Sequence, residues 1–250
     1  MKGVEAVRYS CIAFYALLWF GGVQAYIFAG GPPEGLEWTA PLFLAFAAVL
    51  LVGFAPRTER MVLLLAGLAG FGAEILGVHT GFPFGHYEYT AVLYPKFFGV
   101  PFVLAAAWLL LFAYVRQMVR SPWGAALWMT AIDLVIDPLA ANSLGFWRWE
   151  AGGIYYDVPW TNFAGWFLVS LVIFACARRP AAPDPQARRL GLSIILFFTV
   201  IALATGLPLA GAIGVGLVLV HVAWRRLLRE REASSVFDPF PGNRRLRRHG

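Results

Sequence analysis

The chain has 250 residues, of which 60% are hydrophobic and only 14% are charged, and its mean hydropathy is +0.67. Soluble domains carry about 25% charged residues, so this composition excludes an ordinary soluble domain and indicates a membrane protein with several spans. The formal net charge is +6. Because basic residues beside apolar segments usually meet lipid headgroups, we predict contact with the lipid bilayer and no nucleic-acid partner.

Apolar segments recur along the chain at the length that a membrane span requires. Crossing a hydrocarbon core of about 30 Å takes about 20 helical residues. In chain order, such segments lie at 9–29, 36–55, 61–79, 99–119, 123–142 and 159–177. The last apolar run, 190–224, is interrupted by TGLP at 205–208, which predicts two helices joined by a tight turn. We therefore predict an all-α fold, a polytopic membrane helix bundle of about eight transmembrane helices.

The distribution of Lys and Arg tests this count, because cytoplasmic loops collect these residues and exported loops do not. If the N-terminus is cytoplasmic and eight helices follow, every Lys and Arg except Lys96 and Arg148 lies on the cytoplasmic side. We predict that both termini are cytoplasmic and that the protein is a multi-pass protein of the cell (inner or plasma) membrane. Residues 1–232 are predicted to form a single helical domain, and residues 233–250 a basic, disordered cytoplasmic tail.

Three acidic residues lie deep inside predicted spans: Glu74, Asp133 and Asp137. At about 1.5 Å per residue, Glu74 and Asp137 lie about 20 Å from the cytoplasmic ends of their helices, and Asp133 lies near the midplane. Each shares a helix face with small residues, along which membrane helices pack closely, so we expect the carboxyls to face the bundle interior. The small residues are Gly67, Gly70, Gly77 and Gly81 beside Glu74, and Ala126, Thr130, Ala140 and Ala141 beside the aspartates.

Two interpretations of these carboxyls remain open at this point. In the structural one, the acids bond across helices, or to backbone released by Pro138, which cannot donate to the Leu134 carbonyl. In the functional one, they mark a site, since ionisable groups inside a membrane are costly. A carboxyl in a low-dielectric site resists ionisation, and a close pair resists it further, so a pair can hold a proton at neutral pH. That suits a general acid or a proton relay.

The exported loops 80–98 and 143–158 flank the acid-bearing helices and are rich in glycine, proline and aromatic residues. An interfacial aromatic belt is one interpretation. The density of rings also fits an apolar slot, whose π-faces stabilise a cation within about 6 Å. The predicted substrate-binding residues are Phe82, Phe84, Tyr87, Tyr89, Trp147, Trp149, Tyr155, Asn162 and Trp166. The four histidines lack metal-ligand spacing with the acids, so no metal site is predicted.

Several motifs within residues 73–166 resemble a known family. They are AEILGVHTGFPFGHYEYT, GVPF, AAAW, DLVIDPLA, FWRWEAGGIYY and VPWTNFAGW. They resemble the membrane-bound carotenoid hydratases, a family that includes γ-carotene 1′,2′-hydratases and bisanhydrobacterioruberin hydratases. The resemblance implies addition of water to the terminal C1=C2 double bond of an acyclic carotenoid end group, giving a tertiary alcohol. One departure is Asp157, where we would expect a glycine before VPW.

The resemblance gives the buried carboxyls a chemistry. Hydration of a trisubstituted alkene needs a proton donor at C2, stabilisation of the tertiary cation at C1, and a water delivered to that cation. A neutral carboxylic acid, aromatic faces and an ionised carboxylate supply these in order, without a cofactor. Asp133, Asp137 and Glu74 are the candidate catalytic residues. The implied substrate is γ-carotene, lycopene or a related carotenoid with a ψ end group, and other enzymes of the carotenoid pathway are candidate partners.

Three other functions remain open. A carotenoid end-group cyclase would use the same acid and cation chemistry while excluding water. An intramembrane prenyltransferase would also show Asp-x-x-x-Asp, but it binds Mg²⁺ and a diphosphate from the cytosol. Here the acids lie toward the exported side, with only Lys96 and Arg148 nearby to meet phosphate oxygens. A proton-coupled transporter also uses buried carboxyls, but two related halves are expected there and the sequence shows no repeat.

Overall fold

The computed structural model describes residues 2–177 and 181–236, and it is predominantly helical there. The described residues form eight α-helices: α1 Lys2–Phe28, α2 Thr39–Phe54, α3 Arg57–Thr80, α4 Val103–Met118, α5 Pro122–Pro138, α6 Trp160–Cys176, α7 Pro185–Ala204 and α8 Pro208–Val236. Each of the first six predicted apolar segments overlaps one of these helices, and the run 190–224 overlaps both α7 and α8, so the predominantly helical fold is confirmed. Helix α8 extends into the segment predicted as a tail, and residues 237–250 of that tail lie outside the described residues.

The helices differ in how well they match the thickness of a membrane. In the described part of the chain, five helical segments are long and apolar enough to cross one: Glu5–Phe28, Arg57–Thr80, Pro122–Ser143, Pro185–Ala204 and Pro208–Arg226. Helices α2, α4 and α6 are also apolar but have only 16, 16 and 17 residues, about 24–26 Å of helix. The membrane character of the chain is thus supported, and the count of eight spans stays a prediction.

Helix α4 lies at the centre of the bundle. It contacts α2, α3, α5 and α7, and every residue from Leu109 to Val115 is buried. A helix that is apolar on all sides is expected to be surrounded by other helices. Both α4 and α6 contact α3 and α5, the two helices that carry the deep carboxyls. The acid-bearing helices are therefore held by the same two neighbours.

Four short strands occur in the described segments between α3 and α4 and between α5 and α6, and one of them lies at the start of the segment 99–119 that was predicted as a span. They are β1 Tyr87–Tyr89, β2 Lys96–Phe97, β3 Val100–Pro101 and β4 Trp147–Trp149. Strand β1 pairs antiparallel with β4, and β2 with β3. In the β1–β4 ribbon, aromatic residues alternate with Glu88 and Arg148, which are exposed opposite each other. This period of two directs the rings to one face of the ribbon, toward the helices.

Helix α5 ends at Pro138, and the side chains of Tyr155 and Asn142 bond to the backbone around it. The hydroxyl of Tyr155 donates to the Leu134 carbonyl at 2.9 Å, which replaces the amide that proline lacks. The amide of Asn142 donates to the Pro138 carbonyl at 3.0 Å, and the chain continues as a π-helical turn, Leu139–Ser143. These bonds attach the end of α5, with its two aspartates, to the loop that follows.

Candidate active site

Glu74 of α3 is buried, with 4% of its surface exposed. Its Oε2 accepts hydrogen bonds from the hydroxyls of Tyr87 at 2.5 Å and Tyr89 at 2.9 Å, and its Oε1 accepts from Nε1 of Trp108 at 3.0 Å. Burial, followed by the charge of Glu74, raises the pKa of Tyr87 and of Tyr89. Both tyrosines therefore keep their hydroxyl protons at neutral pH and act as donors to this carboxyl.

The glycines on the Glu74 face make room for these donors. A Cβ added at Gly70 would overlap the ring of Trp108, and one added at Gly77 would lie 3.0 Å from the Tyr87 hydroxyl oxygen. At Gly67, an added Cβ would lie 2.7 Å from the carbonyl oxygen of Ala105 in α4. The absence of side chains thus allows α4 to approach α3 closely and allows aromatic donors to reach Glu74.

Asp133 and Asp137 lie one turn apart on α5 and are 1% and 2% exposed. Nδ2 of Asn162, from α6, donates to Oδ2 of Asp133 at 2.7 Å and to Oδ2 of Asp137 at 2.8 Å. The amide nitrogen has two hydrogens, so one can go to each carboxyl. Asn162, predicted as part of the substrate site, therefore lies between the two aspartates.

The two aspartates differ in the number of donors that reach them. Oδ1 of Asp137 accepts from Nε1 of Trp147 at 3.1 Å and of Trp149 at 2.9 Å, so this residue has three donors with Asn162. Asp133 accepts from Asn162, and no side chain or backbone amide in the described residues donates to its Oδ1. Hydrogen bonds stabilise a carboxylate, and a neighbouring negative charge opposes a second one. The arrangement favours an ionised Asp137 beside a protonated Asp133.

The β1–β4 ribbon connects the carboxyl of Glu74 with that of Asp137. Tyr87 lies opposite Trp149 and Tyr89 opposite Trp147, with ring centroids 4.9 Å and 5.7 Å apart. The tyrosines of β1 bind Glu74, and the tryptophans of β4 bind Asp137. The aromatic residues of the two strands thus form one layer, whose polar atoms end on carboxyls from two different helices.

Phe84 and Trp166 support the donors to Glu74. Phe84 is buried, and its ring lies edge-on to that of Tyr87 with the centroids 6.3 Å apart. Trp166 of α6 stacks on Trp108, with centroids 4.2 Å apart and the planes 9° from parallel. Trp108 was missed by the sequence analysis. Its signal was its position in the middle of an apolar span, because tryptophan is typical of membrane interfaces and a buried indole needs an acceptor.

Two other predicted binding residues have different surroundings. Tyr155 binds backbone at the end of α5, and burial raises its pKa to about 12. Phe82 is 61% exposed and is the predicted binding residue least associated with the buried layer. Asp157 adopts a left-handed backbone with φ of 59°, a conformation that glycine adopts more readily than other residues. This fits our expectation of a glycine at that position.

Within residues 2–177 and 181–236, no group of three or more His, Cys, Asp and Glu side chains is arranged to hold a metal ion. The site that the described residues do form is a layer of aromatic donors over three buried carboxyls. Two of those carboxyls share one amide. Such a site can hold a proton, donate it to an apolar substrate and stabilise positive charge close to the aromatic faces.

Comparisons with known proteins identify the family of this chain. Bisanhydrobacterioruberin hydratase of Haloarcula japonica is 33% identical over 166 residues, and the alignment covers 57% of this chain and 56% of that protein. The chain thus spans a little over half the length of this relative. No solved structure matches this chain. The sequence model of the carotenoid biosynthesis protein family matches residues 39–223, which include all three buried carboxyls. The chain therefore belongs to the carotenoid biosynthesis protein family.

Proposed function

We propose that this protein is a carotenoid hydratase, which adds water to the terminal C1=C2 double bond of an acyclic carotenoid end group to give a tertiary alcohol. The substrate would be γ-carotene, lycopene or a related carotenoid with a ψ end group. The observation that carries the proposal is the pair Asp133 and Asp137, two buried carboxyls on one amide with unequal numbers of donors. Family membership and the similarity to a hydratase support the same activity.

The proposed mechanism follows from the unequal numbers of hydrogen-bond donors to Asp133 and Asp137. Protonated Asp133 gives its proton to C2, the π electrons form the new C–H bond, and C1 becomes a tertiary cation. The faces of Trp147 and Trp149 stabilise the cation by about 0.5–2 kcal/mol each when desolvated. Water attacks C1 and loses a proton to the carboxylate of Asp137. Passage of that proton back to Asp133 through a water restores both groups, so the net change is one added water and no cofactor is required.

Glu74 has a positioning role in this proposal. It holds Tyr87 and Tyr89, and these rings contact the two tryptophans that bind Asp137. Fixing the tyrosines fixes the ribbon, and the ribbon fixes the indole donors. Glu74 thus acts on the reaction through the orientation of the aromatic layer.

We further propose that all eight helices cross the cell membrane with both termini cytoplasmic, so that the aromatic layer lies at the exported side. The near-exclusive placement of Lys and Arg on one side supports this topology. The ion pair between Arg116 of α4 and Glu59 of α3, at 2.8 Å, joins two helix ends that this topology assigns to the cytoplasmic side. The exposed residue Cys176, at the end of α6, allows a test of the proposed topology. An impermeant maleimide should label Cys176 only after permeabilisation, and labelling of intact cells would contradict the topology.

The activity is tested by expression in a host that accumulates lycopene or γ-carotene, followed by chromatography and mass analysis of the pigments. The expected product is heavier than the substrate by one water. Asp133→Asn should abolish it, whereas Glu88→Gln should not, because Glu88 is an exposed acid on the outer face of the same ribbon. A product with the mass of the substrate but a cyclised end group would make the protein a cyclase instead.

Isotope labelling tests the mechanism. The proton added at C2 comes from a carboxyl that exchanges with solvent, so product formed in D₂O should carry deuterium at C2. The hydroxyl must lie at C1, since protonation at C2 leaves the charge on the tertiary carbon. Product should also form without O₂. An O₂ requirement, a hydroxyl at C2, or an unlabelled C2 would each exclude acid-catalysed hydration.

A further inference from the structure

An apolar cavity of about 310 Å³ lies between α1, α2 and α7, beside the carboxyl site. Its volume is at the lower end of the range of about 300–1,000 Å³ found for ligand pockets. Phe43, Phe197 and Phe198 are among the residues that line it, and none of the lining residues is charged. The hydroxyls of Thr39 and Tyr26 are the polar side-chain groups among its lining residues. The cavity therefore suits an apolar ligand without a charged head.

Part of the cavity wall comes from the segment of chain that leads into β4. Leu144 and Phe146 of that segment line the cavity. The Phe146 amide donates to the Ala140 carbonyl at 2.8 Å, and its ring centroid lies 6.4 Å from that of Trp147. Trp147 in turn donates to Asp137. The cavity and the carboxyl pair thus lie on two sides of one short segment of chain.

The cavity also opens at the outer surface of the bundle. Leu17 and Leu36, two of its lining residues, are 67% and 42% exposed. Gly21 of α1 lies in the wall, and a Cβ added there would meet no atom within 4 Å. An apolar molecule dissolved in the bilayer can therefore enter from the side, between the exported ends of α1 and α2.

We propose that this cavity binds part of the polyene chain of the carotenoid whose end group reacts at Asp133 and Asp137; the identity of the ligand rests on the proposed function. A polyene has no hydrogen-bonding groups, so a wall of aromatic and aliphatic side chains leaves no polar group of the ligand without a partner. A phospholipid would bring a charged headgroup, for which the wall offers no charged partner. The cavity holds a segment of the chain next to the end group and leaves the remainder in the bilayer.

The test fills the cavity and measures bound pigment. Gly21→Trp and Ala25→Trp, one turn apart on α1, are each combined with Asp133→Asn, so that pigment can bind without reacting. Gly72→Trp is the matched control, because Gly72 is an exposed helical glycine on α3 at which an added Cβ also meets no atom within 4 Å. The proteins are purified from a lycopene-producing host, and visible absorbance gives the pigment bound per protein.

We expect about a 10-fold or greater loss of bound pigment in both cavity variants, equivalent to about 1.4 kcal/mol or more, and no change in the control. Monodisperse elution and an unchanged thermal unfolding curve separate lost binding from lost folding. Cavity variants that retain as much pigment as the parent would overturn the inference, and so would a parent that retains none. A native protein that binds pigment through this cavity but never hydrates it would overturn the proposed function alone.

Discussion

Replacing each aspartate by asparagine separates the roles of the two residues, because an amide has one acceptor oxygen where a carboxylate has two. In Asp133→Asn, the new oxygen can still accept from Asn162, and the new NH₂ group occupies the position of Oδ1, to which no described residue donates. This substitution removes the proposed proton donor and keeps the hydrogen bond. We therefore expect an inactive protein whose free energy of unfolding falls by less than about 1 kcal/mol.

Asp137→Asn must lose at least one hydrogen bond whichever way the amide is turned. If the new amide oxygen faces Trp147 and Trp149, the new NH₂ group faces the NH₂ group of Asn162, and that hydrogen bond is lost. In the other orientation, the new NH₂ group faces the two indole N–H groups, and both of those hydrogen bonds are lost. Hydrogen bonds to charged groups contribute about 1.5–3 kcal/mol. We expect the free energy of unfolding to fall by about that amount. In a chain of this length, that corresponds to a fall in Tm of about 3–12 °C.

Thermal unfolding in a single detergent, followed by tryptophan fluorescence, measures the difference between the two variants. Pigment mass measures hydration, which should fall at least about 100-fold in both, as expected for loss of a positioned acid or base. An equal loss of stability in the two variants would refute the unequal donor sets. Near-normal product from both variants would mean that Asp133 and Asp137 have a structural role only.

Three further substitutions and one control test Glu74 and its surroundings. Glu74→Gln should lower product yield less than the more damaging aspartate substitution; complete loss in this variant, with both aspartate variants active, would mean that the proton donor is misassigned. Trp108→Phe removes the donor to Oε1 and should lower the free energy of unfolding by about 1–3 kcal/mol, measured by thermal unfolding. Gly70→Ala must displace the Trp108 ring and should cost about 1–3 kcal/mol, whereas Gly72→Ala, with open space around it, should not destabilise; equal stability of the two would refute this packing.

The positions of the helices could be predicted because their signals are local. Apolar length fixes where a helix can lie, and proline marks where one begins. Helices α5, α7 and α8 start at Pro122, Pro185 and Pro208, as expected for a residue whose missing N–H costs nothing in the first turn. Asp184 adds a second local signal, since its side chain accepts from the backbone amides of Gln186 and Ala187 at the start of α7.

The β1–β4 ribbon could not be predicted in the same way. Each strand has only three residues, YEY and WRW, so the alternation of aromatic and charged residues is too short to distinguish a strand from a loop. The partner strands also lie far apart in the sequence, on either side of α4 and α5. Pairing at such a separation depends on how the helices pack, and the sequence of either loop alone does not contain that information.

In the candidate site too, some features could be predicted from local sequence and others depend on packing. Counting residues along the helices predicts one depth for Glu74 and Asp137, because helical rise is constant, and that depth stays a prediction. The donors could not be assigned, since each hydrogen bond joins two elements whose relative position is set by packing. Trp108 reaches Glu74 only because Gly70 leaves space, and Tyr155 binds the Leu134 carbonyl only because the loop folds back on α5.

The aromatic layer can act on the reaction through two different parts of the same side chains. The N–H edges of Trp147 and Trp149 are fixed by Asp137, so the orientation of their faces is set before any substrate binds. Groups oriented in advance stabilise a developing charge without reorganising during the reaction. Protonation by Asp133 would produce the same tertiary cation in a hydratase and in a cyclase, so the acid cannot decide between their products. The product must depend on whether water reaches C1 beside Asp137. If the proposed mechanism holds, substitutions that narrow the access of water to Asp137 should redirect the cation toward elimination or ring closure, while Asp133, the proposed acid, continues to protonate C2.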